Sequence, residues 1–195
     1  MAEIRVVLFC EDLGHESFIR PLLRRLGREE GVDVVADVKN SRGGIGRAAS
    51  ELRAWQRFVA IRGGLPDLLL VLLDANSDGP AARRRQAMEV VDTALFPRVV
   101  IGTPDPYIER WYFADEVVFR RVAGGDPPSV EELARNRRAW KSALRRSIEA
   151  SGQFLLNDVA DLAPEIVEAM DLYAAAKAAP TLGQLVHDLR MALRG

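Results

Sequence analysis

A set of hard oxygen donors stands where an α/β protein does its chemistry. Glu11 follows the apolar run Ile4 to Cys10. Asp74, Asn76 and Asp78 follow the unbroken run Leu68 to Leu73, and Asp105 and Glu109 follow Arg98 to Gly102. Each run reads as a parallel strand, and open α/β sheets bind ligands just outside the carboxyl ends of their strands. Crowded carboxylates repel one another, and burial raises that cost. A divalent cation removes it, and Mg²⁺ (or Mn²⁺) needs only two or three such oxygens because it keeps several waters. An ion held there polarises a phosphoryl oxygen or lowers the pKa of a bound water. Asp74, Asn76 and Asp78 are the expected anchor of that site, and phosphodiester chemistry is the expected use.

Competing explanations exist for the same residues. Asp74 to Gly79 matches the start of an EF-hand loop, but the twelfth position is Arg85 where a bidentate Glu is required, and no helix precedes it. Asp78, just before Gly79 and Pro80, also suits a helix N-cap. Glu11 and Asp12 also read as loop solubilisers.

The elements that must position these groups follow from periodicity. Ile4 to Cys10 is the first predicted strand, and Phe18, Ile19, Leu22, Leu23 and Leu26 recur at helical spacing behind it. Pro21 is expected in the first turns of that helix, where it is tolerated. Val32 to Val38 is a β-branched second strand. The stripe Ala48, Leu52, Trp55 and Val59 marks a helix ended by Gly63 and Gly64. Pro80 opens the helix after the third strand, with Ala87, Val90, Val91 and Ala94 inward and Pro97 as its stop. The order β-α-β-α-β-α-β predicts a Rossmann-like three-layer α/β/α sandwich around a parallel sheet of about four strands. Beyond Asp105 the pattern turns helical: a short aromatic-rich helix over Ile108 to Asp115, then a helix capped by Ser129 and Glu132 that buries Leu133, Trp140, Leu144 and Ile148. A turn and helix follow Pro164, through about Ala178. Thr181 with Gln184 is expected to cap a last helix with the stripe Leu182, Leu185, Val186, Leu189 and Leu193. The expected division is a core over 1–123 and a helical C-terminal appendage over 124–195, packed together as one compact domain.

Composition narrows the function. The 195 residues carry net charge −1, so the molecule as a whole is no electrostatic nucleic-acid binder. Cys10 is the only cysteine, which excludes an internal disulfide and a Cys-rich zinc site. No 18-residue apolar run and no basic-then-apolar start are present, so a cytoplasmic location without membrane contact is expected. Arg138, Lys141 and Arg145 lie on one helical stripe. It suits either a phosphate backbone or a solvated face paired with Glu131, Glu132 and Glu149. Trp111, Tyr112 and Phe113 can stack bases. Trp111 reads better as core, and Tyr112 is the better candidate for exposure.

The order of Glu after the first strand, acids after the third and Glu after the fourth resembles the TOPRIM fold of topoisomerases, primases and OLD-type nucleases. Ile108-Glu109-Arg110-Trp111-Tyr112-Phe113-Ala114-Asp115 is more closely similar to the E-x-W-x-x-A-D segment of small bacterial TOPRIM-like proteins, and Pro180-Thr181-Leu182 is similar to the opening of their last helix. The resemblance implies a Mg²⁺- or Mn²⁺-dependent phosphoryl-transfer enzyme on nucleic acid, a nuclease by first preference, with DNA favoured over RNA. Glu11 would be general base or metal ligand, Asp74 with Asn76 or Asp78 would hold the ion, and Glu109 would complete the acidic cluster. Lys39 and Arg42 would bind phosphate. His15, which changes charge near neutral pH when unperturbed, would suit proton transfer. Two departures support a second reading. Asp12 follows Glu11 where the pattern has Gly, and Asn76 stands where it has a second Asp. A non-catalytic nucleic-acid-binding or regulatory subunit of a multi-component defence system, with a partner protein, fits those changes. A receiver-type signalling domain needs a Lys after a fifth strand, and none of Lys39, Lys141 and Lys177 is so placed.

Overall fold

The central strand explains the architecture. Leu68–Leu72 (β3) buries all five of its side chains, so both of its faces must be covered. It lies between Ala2–Cys10 (β1) and Val99–Gly102 (β4), and Val32–Asn40 (β2) pairs with the far side of β1. All pairings are parallel and the order is β2-β1-β3-β4. The protein is thus an α/β fold on a four-stranded all-parallel sheet with C-terminal helices. The computed structural model describes residues 2–40, 44–130, 133, 137–152 and 159–195.

Alternation along β1 feeds two separate cores. Val6, Leu8 and Cys10 join a cluster with helix Leu13–Glu30 (α1), while Val7 and Phe9 join another with helix Gly44–Arg62 (α2) and helix Pro80–Met88 (α3). Burying a Leu or Val of this kind is worth about 1.5–3 kcal/mol, an upper figure because unfolded chains already bury some area. The register ends Cys10, Leu72 and Gly102 side by side. Glu11, Asp74 and the segment after Gly102 therefore leave the sheet at one edge.

Pro21 sits well inside α1, not in its first turns. The helix starts earlier than the proline suggests because Asp12 caps it, accepting from the His15 N–H at 3.2 Å. Helix α3 stops at Met88, short of Pro97. Gln56 takes the Val90 carbonyl through its amide N–H at 3.0 Å, and Asp92 accepts from the Ala94 and Leu95 N–H groups in a side-chain turn. Ala94 is consequently exposed.

After β4 the aromatic segment makes only Glu109–Tyr112 (α4). Asp115 then caps a further helix, Glu116–Ala123 (α5), that periodicity alone left unassigned. Helix Arg137–Glu149 (α6) buries Trp140, Leu144 and Ile148. Leu133 lies before it and is half-buried, and Glu132 of the expected capping box falls outside the described residues. A 3-10 turn, Val159–Leu162, leads into Ala163–Ala169 (α7). A break capped by Asp171 then separates α7 from Leu172–Ala178 (α8), so Pro164 opens two short helices instead of one. Pro180–Arg194 (α9) buries its whole expected stripe. Thr181 is not its cap: the Trp111 indole N–H donates to the Thr181 hydroxyl at 3.1 Å, and Gln184 donates to Asp188. The C-terminal helices share one apolar cluster with α1 and the sheet. Among the described residues no helix is long and apolar enough to cross a membrane.

Candidate active site

The carboxyl edge of the sheet holds a buried charged constellation. Its centre is His15, in the first turn of α1, with no exposed surface. Its Nδ1–H donates to Asp12 Oδ1 at 2.7 Å and its Nε2–H donates to Asp74 Oδ1 at 3.0 Å. The same Asp74 oxygen accepts the backbone N–H of Ile108 at 2.9 Å. Burial works against a charged imidazole, but the Asp74 charge and the hydrogen bonds to Asp12 and Asp74 outweigh it. His15 is pushed up to about 10 from its ordinary 6.5. It is therefore an imidazolium at neutral pH, and its change of charge lies well above the neutral range that proton transfer by a histidine uses.

Local structure makes this arrangement inevitable. The capping position of Asp12 sets its carboxylate over the next turn, where a residue three positions on must meet it. Backbone bonds from the Ala75 N–H to the Pro104 carbonyl (2.8 Å) and from the Asn76 N–H to the Pro106 carbonyl (3.0 Å) lash the loops after β3 and β4 together. That brings the Ile108 N–H onto Asp74. Tyr112, contrary to the exposure expected of it, is 2% exposed and its hydroxyl donates to the Gly14 carbonyl at 2.9 Å.

Lys141 extends the constellation from α6. Its ammonium lies 3.4 Å from Asp12 Oδ2 and 3.9 Å from Glu109 Oε1. Asp12, His15, Asp74, Lys141 and Glu109 form one connected chain of charges. Glu11 stands at the end of β1 with 7% of its surface exposed, and Glu109 has 5%. The small crevice between Glu109, Tyr112, Lys141 and Val159 has a volume of about 20 Å³, room for about one water. Burial, then the charges of Glu16 and Asp12, push the Cys10 thiol up to about 12, so it stays protonated and unreactive.

The other expected site residues lie apart from this centre. Asp78 forms an ion pair with Arg83 at 3.1 Å. Asn76 adopts a left-handed backbone, φ 51°, and its amide N–H donates back to the Asp74 carbonyl at 3.3 Å. Asp105 is exposed. Lys39 pairs with Asp37 at 2.8 Å on the edge strand, and Arg42 lies outside the described residues. The basic stripe on α6 divides: Lys141 turns to the carboxylates, Arg145 pairs with Glu149 at 2.7 Å, and Arg138 is exposed. Sequence reasoning did not assign Asp12, which proves central. The Asp-x-x-His spacing at a helix start was the signal that could have found it.

A divalent cation is tested here by the chemistry of the donor set. Asp12, Asp74 and Glu109 bring only hard oxygens to this chain of charges, and Glu11 leaves β1 at the same edge of the sheet. Oxygens of this kind are the donor type that Mg²⁺ and Mn²⁺ take. As they stand, no three metal-ligating side chains among the described residues converge on one point. Comparison of the chain with family models, with curated proteins and with solved structures gives no match.

Proposed function

We propose that the protein is a divalent-metal-dependent phosphoryl-transfer enzyme on nucleic acid, a TOPRIM-like nuclease. The observation that carries this reading is the buried His15–Asp74 pair with Asp12, Glu109 and Lys141 around it, at the carboxyl edge of a parallel sheet. Replacing a buried ionic network with apolar side chains of similar volume is often neutral or stabilising, so its presence calls for a use. Clusters of this kind, placed where open α/β sheets bind ligands, are the signature of a reactive site.

Glu11 and Asp74 would hold the ion, which supplies Lewis-acid activation of a phosphoryl oxygen or of water. The chain's own residues have separable tasks. His15, kept as an imidazolium by two carboxylates, positions Asp74 and Asp12 and takes up no further proton. Proton acceptance would therefore fall to a carboxylate, and Glu11, at the end of β1, is the candidate. Lys141, whose side chain is 44% exposed, lies on the solvent side and offers its charge to a phosphate oxygen.

A second reading has its own support. One Asp74 oxygen is already engaged by His15 and Ile108, and the adjoining crevice is one water wide. A binding or regulatory subunit that no longer cuts accommodates both facts. Incubation of single- and double-stranded DNA with the protein and Mg²⁺ or Mn²⁺ separates the two. The enzyme reading expects cleavage that EDTA stops and that Glu11→Gln lowers by about a hundredfold or more, the scale of losing a general base. Stable DNA binding with no cleavage under either ion supports the second reading. Cleavage unaffected by Glu11→Gln rejects the site.

A further inference from the structure

Strand β2 is an outer edge of the sheet. Its nine residues pair with β1 in unbroken register, with no proline and no bulge. Edge strands that stay single are commonly short, bulged or interrupted by proline, and β2 has none of those protections. Side chains alternate along it. Val32, Val34, Ala36 and Val38 pack against the α1 cluster and are only half-buried. Asp33, Val35 and Asp37 on the other face are exposed, Val35 by 48%. Lys39 follows on that face and pairs with Asp37 at 2.8 Å.

The charges on this face are ordered along the strand. At its start the register sets Glu3 of β1 beside Asp33, both exposed, and among the described residues neither has an ion-pair partner. The cation, Lys39, stands at the other end. A second copy laid antiparallel on this edge about a two-fold axis meets the same sequence reversed. Only the register centred on Ala36 overlaps all nine residues. It sets Asp33 opposite Lys39 of the second copy, twice by symmetry, and continues the apolar face with Val34 opposite Val38 of the second copy. Shifting that register by two residues opposes Asp33 to Asp37 in one direction and Asp37 to Asp37 in the other. Shifting it by one moves the valines to the wrong face. Full overlap and charge complementarity therefore select the same register. Arg20, held by Glu16 at 2.8 Å, donates to the Ala36 carbonyl at 3.3 Å. An amide of the second copy can replace that long contact, because Arg20 is exposed and keeps Glu16. A net charge of −1 per chain adds little repulsion between copies.

We propose that β2 is a dimerisation edge, on which two copies of this chain pair antiparallel about Ala36 and join their sheets into one. Main-chain hydrogen bonds supply the affinity, and the Asp33–Lys39 pairs fix the register. The interface does not depend on what the charged constellation does.

Sedimentation velocity of the full chain over a range of concentrations reads the dimer, and charge exchange tests its register. The wild-type chain is expected to pass from monomer to dimer as concentration rises. Asp33→Lys and Lys39→Asp each set like charges across both pairs and should weaken the dimer about tenfold or more. Both side chains reach solvent, so each variant keeps the fold. An equimolar mixture of the two variants restores opposite charges at both pairs, and a heterodimer should form at concentrations where neither variant associates alone. A wild-type chain that stays monomeric up to about 1 mM overturns the proposal. So does a dimer that either variant leaves unchanged, or a mixture that associates no better than the variants alone.

Discussion

Two regions share the carboxyl edge of one sheet and solve opposite problems. On the α1 side, five ionisable groups, Asp12, His15, Asp74, Lys141 and Glu109, crowd together around a crevice of about 20 Å³. On the α2–α3 side, a 340 Å³ cavity stands open with one arginine at its end. Strand alternation produces the difference. Even positions of β1 face α1 and its polar first turn, and odd positions face helices rich in alanine. Charge density is thus concentrated where volume is least, and volume remains where charge is already paired. A site that holds an ion by its own carboxylates needs the first arrangement.

The comparison breaks most readily at Asp74. Asp74→Ala leaves His15 with one carboxylate and strands the Ile108 N–H, so a loss of about 3–5 kcal/mol is expected in chemical denaturation. A loss below about 1 kcal/mol would mean that the ion pair is not buried in solution. Titration gives the next effect. His15 has a folded value near 10 against an ordinary 6.5. Its contribution is therefore fully present below about pH 6.5 and disappears as pH rises through 10. Denaturation midpoints should fall between neutral pH and pH 10.5 in the wild-type chain, and fall less in His15→Gln. An equal fall in both would remove His15 as the cause.

Smaller changes sharpen the contrast between the regions. Ala49→Leu fills open space on the α2–α3 side and should raise stability by about 0.5–2 kcal/mol, as cavity filling commonly does. An added methylene in the packed charged centre has no such room. Lys141→Met should cost only about 0–1 kcal/mol because the ammonium is half in water. Denaturant midpoints measured side by side check both, and a loss in Ala49→Leu would mean that the cavity is closed in solution.

The fold was legible because the strands carry it in unbroken apolar runs. Leu68 to Leu73 announces a strand buried on both faces, and the alternation of strand and helix sets the layers. Boundaries failed where a side chain overrode periodicity. Asp12 starts α1 before Pro21 is reached, Gln56 and Asp92 end α3 early, and Asp115 begins a helix in a stretch that periodicity left unassigned. The sequence pointed to Glu11, Asp74 and Glu109 as groups of one edge, and the structure places all three there, buried. It could not tell that Asp78 turns to Arg83 on the other face, because a cation loop and a helix start use the same residues. Spacing picked out Lys141 on a basic stripe but not its reach to Asp12 across 129 positions of sequence.

The most direct test of the charged centre is Mn²⁺ uptake followed by electron paramagnetic resonance, in which bound ion loses the signal of free ion. Stoichiometric uptake by the wild-type protein, abolished or much weakened in Asp74→Asn, is the predicted result. Mn²⁺ that remains free in the presence of excess wild-type protein, or uptake unchanged in Asp74→Asn, would contradict the account.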